Sequence, residues 1–357
     1  MWLNQIFIFM GIIVAIVIGK FIHDRLKLSK YYVLPQTLAV LIIGLILLLV
    51  GADRVESFRV DFESLVGLIT LFVLTLGVNI GLNIKWKNAL KELVPLMGFV
   101  LLVYTVLNWM SMKTLDVFSL VFSPFRIGWS TDSIKVLSIS YSPDIVVAFL
   151  NLSFIIAILS TPLFLILLSK HFHLSKSVKN YEYHYSLSGL ILAISITFVL
   201  SYLCYFQIPF IYLSTVSFLL GIGMGSILGK RIGFVGKNSE WLLGILTCAT
   251  FGNAFIGVVK NSDSISVKLL VWMLVYFLVI TFMHYMIALM MKKEERQFVY
   301  ISACWALLSS SPLACMNVLK STSHNSDNQI VYTVVPILAN VMINVIHLSV
   351  YMTILAK

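Results

Sequence analysis

Apolar runs of about twenty residues recur along the whole chain. A helix needs about 20 apolar residues to cross the ~30 Å hydrocarbon core of a bilayer. Hydrophobic residues make up 60% of the sequence and charged residues 11%, and a soluble domain of that composition could not cover its surface with polar groups. The sequence therefore predicts an all-α polytopic membrane protein with about ten transmembrane helices. The ten runs are 3–19, 31–50, 65–84, 93–110, 145–169, 187–206, 208–229, 241–259, 269–291 and 330–355.

Two further apolar patches, 115–141 and 298–319, are interrupted by Ser, Pro, Arg and Asp residues between them. Irregular backbone at membrane depth is tolerated only where protein or a water-filled cavity satisfies its polar groups. We therefore expect each patch to be a broken or re-entrant hairpin that lines a site. The first apolar run lacks a basic leader and a small-residue cleavage site, so we expect a retained helix.

The net charge of +10 is distributed as in a membrane protein. If loops alternate sides and each broken patch returns to its own side, the loops around 20–30, 85–91, 170–179, 230–237 and 292–320 lie together. They hold 17 of the 25 Lys and Arg residues, and the other side holds 8. This positive-inside bias predicts a multi-pass protein of the bacterial cytoplasmic (inner) membrane, with both termini outside the cytoplasm. It argues against a nucleic-acid partner.

Short motifs repeat in the same order in the two halves of the chain. Two offsets relate the copies, 174 or 175 residues for the first two pairs and 188 or 189 for the last two, so one insertion reconciles them. The pairs are Leu34–Pro35 with Ile208–Pro209, Thr75 to Gly77 with Thr250 to Gly252, Ser123–Pro124 with Ser311–Pro312, and Asn151 with Asn340.

Each half would contribute five spans and one broken hairpin. Because five is odd, the second copy enters the membrane from the opposite side, as in the inverted-topology repeats of many secondary transporters. We expect a first transmembrane repeat at 1–170, a cytoplasmic linker at 171–185 and a second transmembrane repeat at 186–357.

The broken patches supply the candidate solute-binding residues. Half-helix N-termini present free N–H groups and a positive dipole end that suit a carboxylate. The alternatives are helix caps for the Thr and Asp residues and hydroxyl bonds to the preceding turn for the serines. The candidates are Ser130, Thr131 and Asp132 in the first patch, and Ser309, Ser310, Ser311 and Asn317 in the second.

Polar residues inside full spans are candidates for an ion-binding or water-binding role. Thr75, Asn79 and Asn83 share one helical face, and Asn253 lies near the matching place in the second half. Asn151 and Asn340 form the other matched pair. Such side chains face the bundle interior, where interhelical hydrogen bonding is the alternative role. The lone histidines His284 and His347 are interpreted as packed residues.

The sequence contains no recognisable catalytic motif such as HExxH, GxSxG or a Walker loop. We therefore do not expect an enzyme or a cofactor. A membrane enzyme, polymerase or flippase acting on lipid-linked saccharides is an alternative, because such enzymes often keep catalytic Arg, His or Asp in external loops. The charged external loop at 53–63 is short for an acceptor site.

Several segments carry a family resemblance: Tyr31 to Pro35, Leu71 to Asn83, Ser160 to Pro162, Pro312 with Met316–Asn317, and Val334 to Pro336. Through them, across most of its length, the chain resembles the bacterial glutamate:sodium symporter family. Residues 302–308 lack the glycines of that family's second hairpin, and only Gly128 remains in the region of the first. Glycine lets the backbone unwind and approach a ligand, whereas the Trp, Leu and Ala found here favour continuous helix.

The resemblance implies Na⁺-coupled uptake of an acidic amino acid through ten spans in two inverted repeats. We therefore expect a secondary active transporter for a small organic anion such as glutamate, with Na⁺ as the coupling ion. The expected partners are the small-molecule solute, the lipid bilayer and, as one option, a second copy in a homodimer. The missing glycines leave open a transport-dead homologue with a binding or assembly role.

Overall fold

The computed structural model describes residues 2–51, 54–83, 143–172, 184–204, 210–291 and 294–307, together with the single residues Val94, Gly98 and Leu102. Within these ranges all regular secondary structure is helical, and there is no strand. Helices are numbered here along the described residues. They are α1 Trp2–Leu26, α2 Pro35–Val50, α3 Phe62–Asn83, α4 Pro143–His171, α5 Leu187–Cys204, α6 Phe210–Leu228, α7 Ser239–Lys260, α8 Val267–Leu289 and α9 Glu294–Leu307.

Most predicted span ends lie within four residues of the helix ends, but α1 is an exception. It continues past Gly19 to Leu26, so the prediction that a loop begins at Lys20 is wrong. The segment 20–26 contains neither Gly nor Pro, so nothing in it interrupts the helix. Its basic residues stabilise the last turn, because positive charge interacts favourably with the negative C-terminal end of the helix dipole. The helix ends where Lys27 takes a positive φ of 50°.

Helix α2 begins at Pro35, later than the predicted residue 31. Proline has no N–H to leave unpaired and its fixed φ suits the first helical turn. The preceding residues Leu28–Tyr31 form a 3-10 turn. The predicted spans 93–110 and 330–355 and the patch 115–141 lie outside the described ranges, apart from the three single residues, which are helical.

Six stretches within the described residues are long and apolar enough to cross a membrane. Two shorter apolar helices, Pro35–Val50 and Leu187–Tyr202, accompany them. Large apolar side chains such as Phe7, Phe198 and Leu274 are more than 60% exposed, which a bilayer tolerates and water does not. The chain is a multi-pass helical membrane protein. The six stretches are Asn4–Leu26, Val55–Asn83, Val147–His171, Val216–Gly236, Ser239–Lys260 and Val267–Leu289.

The chain divides into two compact units. Unit one comprises Met1–Ser29, Val33–Lys85 and Val178–Asn253. Unit two comprises Lys30–Tyr32, Trp86–Ser177 and Ala254–Lys357. The division falls within α7, between Asn253 and Ala254.

Glycines bring α3 and α6 into backbone contact in unit one. A Cβ atom on Gly77 would lie 3.1 Å from the Gly221 Cα, and one on Gly81 would lie 3.1 Å from the Gly225 Cα. Each helix therefore carries a Gly-x-x-x-Gly pair on the contact face, the small-residue pattern that lets membrane helices approach closely. The residue numbers of the contacting pairs increase together, from Gly77 with Gly221 to Gly81 with Gly225. Helices α3 and α6 therefore run parallel.

Unit one also packs α1 on α2 through Gly19, where a Cβ atom would lie 3.0 Å from the Ala39 nitrogen. In unit two, α4, α8 and α9 bury a separate core that includes Phe149, Phe154, Leu269 and Tyr300. All four side chains are at most 1% exposed. The polar candidates described next lie on these two sets of helices.

Candidate functional site

The predicted solute-binding residues lie outside the described ranges. These residues, together with the ion-site candidate Asn340, stay predictions. The three other ion-site candidates are described, Thr75 and Asn79 in unit one and Asn151 in unit two. The residues outside the described ranges are Ser130, Thr131, Asp132, Ser309, Ser310, Ser311, Asn317 and Asn340.

Thr75 and Asn79 lie one turn apart on α3, as the sequence predicts. The Thr75 side chain is completely buried and its hydroxyl donates to the Phe72 carbonyl oxygen at 2.9 Å. The Asn83 amide donates to the Asn79 backbone oxygen at 2.8 Å and to its Oδ1 at 3.0 Å. The Asn79 amide in turn donates to Ser239 Oγ at 3.4 Å. The α3 polar face therefore continues onto the first residue of α7.

A glycine turn covers this polar face. Residues Gly233–Gly236 form one helical turn before α7, and a Cβ atom on Gly236 would lie 3.2 Å from the Asn79 Cα and nitrogen. Only a residue without a side chain lets the turn approach Asn79 this closely. Asn79 therefore lies between the Asn83 side chain and the Gly233–Gly236 turn instead of facing lipid.

Thr250 is the residue that the repeat aligns with Thr75. It is 2% exposed, and its hydroxyl has no hydrogen-bond partner within the described ranges. A buried hydroxyl without a partner loses its hydration without compensation, so this position suits a bound water or cation. Thr75, by contrast, is already satisfied as a donor and offers only its oxygen lone pairs.

In unit two, Asn151 lies against Gly257. Asn151 is 9% exposed, and the place that a Cβ atom on Gly257 would take is occupied by the Asn151 amide nitrogen. The carboxamide is thus seated in the notch left by the glycine. This contact joins α4 to the last turns of α7 and gives Asn151 a packing role whatever else it binds.

Asn253 has a structural role that sequence reasoning did not identify. Its Oδ1 accepts from the Val60 N–H at 2.9 Å, and its amide donates to the Val60 carbonyl oxygen at 2.9 Å. One side chain thereby satisfies both polar groups of a loop residue. The repeat places Asn253 near the position that matches the α3 polar face, but no sequence signal connected it with Val60.

An aromatic cluster surrounds Trp305 in unit two. Trp305 stacks on Phe164 with ring centroids 4.2 Å apart and an interplanar angle of 8°, and the edge of Phe277 lies 5.4 Å away. The indole N–H donates to Ser160 Oγ at 3.3 Å. Ser160 is followed two residues later by Pro162, which lies inside α4. Helix α9 is unbroken from Ser302 through Leu307, consistent with the expectation that Trp, Leu and Ala favour helix there.

Two histidines have tyrosine partners in unit two. His284 Nδ1 lies 2.9 Å from Tyr300 Oη, and His171 Nε2 lies 3.0 Å from Tyr285 Oη. The sequence indicated only that His284 lies in an apolar run, because its partner is on another helix. Among the described residues, no three His, Cys, Asp or Glu side chains are grouped as metal ligands.

No known protein family, curated protein or solved structure matches the chain. The resemblance to the glutamate:sodium symporter family therefore rests on the sequence motifs alone.

Proposed function

We propose that this protein is an ion-coupled secondary transporter of the bacterial cytoplasmic membrane, built from two inverted repeats. Its solute is a small organic anion such as glutamate, and Na⁺ is the coupling ion. The observation that carries the proposal is the parallel packing of α3 and α6 in unit one, which the ten-span topology with two inverted repeats requires.

The first pair of contacts involves Gly77 and Gly252, two glycines that the repeat aligns. A Cβ atom on Gly77 of α3 would collide with the Phe218 backbone on α6, and one on Gly252 of α7 would lie 4.0 Å from the Ile43 side chain on α2. Gly77 and Gly252 are 175 positions apart, as are Ile43 and Phe218. A Cβ atom on the neighbouring Gly44 would lie 3.4 Å from the Phe251 ring, so α2 and α7 approach through side chains, whereas α3 and α6 meet at their backbones.

The second pair of contacts involves Asn79 and Asn253. Asn253 binds Val60 in the loop before α3, and Asn79 packs against Gly236 in the turn before α7. In an inverted repeat, a contact between residues i and j of the two copies recurs between their counterparts, because a two-fold axis relates the copies. A two-fold axis in the membrane plane is the geometry of an inverted repeat.

The direction of the helices also supports the proposed topology. Helices α3 and α6 run parallel, so they must cross the membrane in the same direction. In the ten-span topology the spans at 65–84 and 208–229 both run from the outside to the cytoplasm. An even number of spans between them would have made the pair antiparallel.

The division into units agrees with a repeat-based transporter. Each unit takes one piece from each half of the chain, namely 33–85 with 178–253 and 86–177 with 254–357. Transporters with internal repeats build their mobile bundles from both repeats and bind solute at the repeat interface. The proposal assigns the solute to the Ser130–Asp132 and Ser309–Ser311 turns with Asn317, and the ion to Thr75, Asn79, Asn151 and Asn340.

The test is uptake of radiolabelled L-glutamate into proteoliposomes that contain the purified full chain. We expect accumulation driven by an inward Na⁺ gradient and abolished by a Na⁺ ionophore. The double variant Ser309→Ala with Ser310→Ala should lose at least tenfold of the rate, while the exposed-loop control Ser57→Ala should keep it. Absence of accumulation for glutamate and related dicarboxylates, or an unchanged double variant, would contradict the proposal.

A transport-dead homologue with a binding role is the second candidate. The observation that favours it is the packed Trp305 cluster, which fills space near the predicted second hairpin. This candidate predicts that glutamate raises the unfolding temperature of the purified protein without any accumulation in proteoliposomes. Uptake would exclude it.

A further inference from the structure

Two histidine–tyrosine pairs meet at consecutive positions of α8. His284 contacts Tyr300 on α9, and Tyr285 contacts His171 at the end of α4, with nitrogen–oxygen distances of 2.9 and 3.0 Å. Helix α8 therefore holds ionisable hydrogen-bonded pairs on two of its faces. All four residues belong to unit two.

The four residues range from exposed to fully buried. His171 is exposed, Tyr285 is half-buried, His284 is 1% exposed and Tyr300 is completely buried. His284 lies five residues before the last residue of the apolar span Val267–Leu289. At 1.5 Å per residue it is about 7 to 8 Å inside the end of the helix.

An ionisable side chain at membrane depth is costly and rare, and it usually serves a proton or ion pathway. Histidine is the side chain whose charge changes near physiological pH. The sequence alone favours a packing role for His284, but a packing role needs only an apolar side chain. Here the ring makes a directed hydrogen bond to a tyrosine that is itself buried.

Other ionisable groups on the neighbouring helices define the surroundings of this pair. On α9, Arg296 and Cys304 lie four residues before and after Tyr300, and therefore on the same helical face. On α4, Lys170 precedes His171. The Tyr300 hydroxyl oxygen lies 2.9 Å from Nδ1 of the His284 ring.

We propose that His284 and Tyr300 form a proton-binding site of unit two. In the neutral state the Tyr300 hydroxyl donates to His284 Nδ1, and Nε2 carries the ring hydrogen. A proton from water binds at Nδ1 and the imidazole becomes an imidazolium. The Tyr300 hydroxyl then turns, so that its oxygen accepts from the new Nδ1–H. The ring gains one proton and one positive charge, and no other bond breaks.

The test is nitrogen NMR of the full chain labelled with ¹⁵N-histidine in lipid nanodiscs, recorded from about pH 4 to pH 9. His284→Gln identifies the His284 resonances, with His184→Gln as the control at an exposed histidine. We expect the His284 ring to change from the neutral to the imidazolium pattern within this range. Tyr300→Phe should move the midpoint by at least about half a pH unit, a roughly threefold change in proton affinity, and the exposed-site control Tyr185→Phe should not. A ring that stays neutral throughout, or a midpoint that Tyr300→Phe leaves unchanged, would overturn the proposal.

The consequence for transport rests on the proposed function. If glutamate uptake is observed, its rate in the His284→Gln variant should lose the pH dependence of the wild type, and an unchanged profile would overturn the proton site. The NMR titration needs no substrate. A titrating His284 in a protein without uptake would therefore reject the proposed function and leave the proton site in place.

Discussion

Replacing Gly77 or Gly221 by alanine should destabilise the contact between α3 and α6. A Cβ atom on Gly77 would lie 3.0 Å from the Ile222 nitrogen and 3.1 Å from the Gly221 Cα, and would collide with the Phe218 carbonyl oxygen. Ordinary contacts of a Cβ atom begin near 3.4 Å. The neighbouring atoms all belong to the α6 backbone, so no rotamer change can relieve the clash and the helices must separate.

The expected magnitude follows from two opposing terms. Overpacking of a tight contact costs about 1–3 kcal/mol, whereas alanine gains about 1 kcal/mol over glycine in helix propensity. Gly223→Ala on α6 is a matched control, because a Cβ atom there has nothing within 4 Å. The propensity term cancels between Gly221→Ala and Gly223→Ala, so the free energies of unfolding of these variants should differ by about 1–3 kcal/mol.

The assay is equilibrium unfolding in mixed detergent micelles, followed by helical circular dichroism as the denaturing detergent is increased. Gly67→Ala provides the equivalent control on α3, where a Cβ atom also meets nothing within 4 Å. If Gly77→Ala and Gly221→Ala unfold at the same detergent fraction as the two controls, α3 and α6 are not in backbone contact. The parallel packing that supports the topology would then be wrong.

Three further substitutions test other contacts. Gly257→Ala should destabilise the protein by no more than about 2 kcal/mol, because the new Cβ displaces the Asn151 amide at a cost of about 1–3 kcal/mol and alanine gains about 1 kcal/mol in helix propensity; adding Asn151→Ala should recover part of the loss in a double-mutant cycle, and additive effects would refute the contact. Asn253→Leu should cost about 2 kcal/mol or more in the free energy of unfolding, because both polar groups of Val60 lose their partner; a change below about 0.5 kcal/mol would contradict the clamp. Trp305→Leu should raise the rate of proteolysis within α9 by loss of aromatic stacking, and an unchanged digestion pattern would count against the cluster.

The helix ends were predictable because bilayer thickness limits them more strongly than any local motif. Eight of the predicted spans overlap the described helices, and only the end of α1 was missed by more than four residues. It was missed because hydropathy marks where the bilayer ends, whereas the helix ends at Lys27, where the backbone changes conformation. The common face of Asn79 and Asn83 was also correctly predicted, and the structure adds the hydrogen bonds between them.

The contacts between helices were less predictable. The pattern Gly-x-x-x-Gly occurs at Gly77 and at Gly221, and it could have identified both contact faces, but nothing in the sequence pairs one face with the other. The partners of His284 and Asn253 lie 16 and 193 positions away. Such pairs depend on how the helices pack, and apolar periodicity carries no information about partner choice. The candidate solute residues stay predictions, because they lie outside the described ranges.

The central claim is that two copies of one helical unit enter the membrane in opposite directions. Ser57, before α3, and Lys237, before α7, are both exposed and lie in the segments that precede two matched spans. Single cysteines at these positions, in a variant without the four natural cysteines, can be labelled with a membrane-impermeant maleimide on intact cells and on permeabilised cells. The account predicts that Ser57→Cys reacts on intact cells and that Lys237→Cys reacts only after permeabilisation. Labelling of both positions from the same side would contradict it.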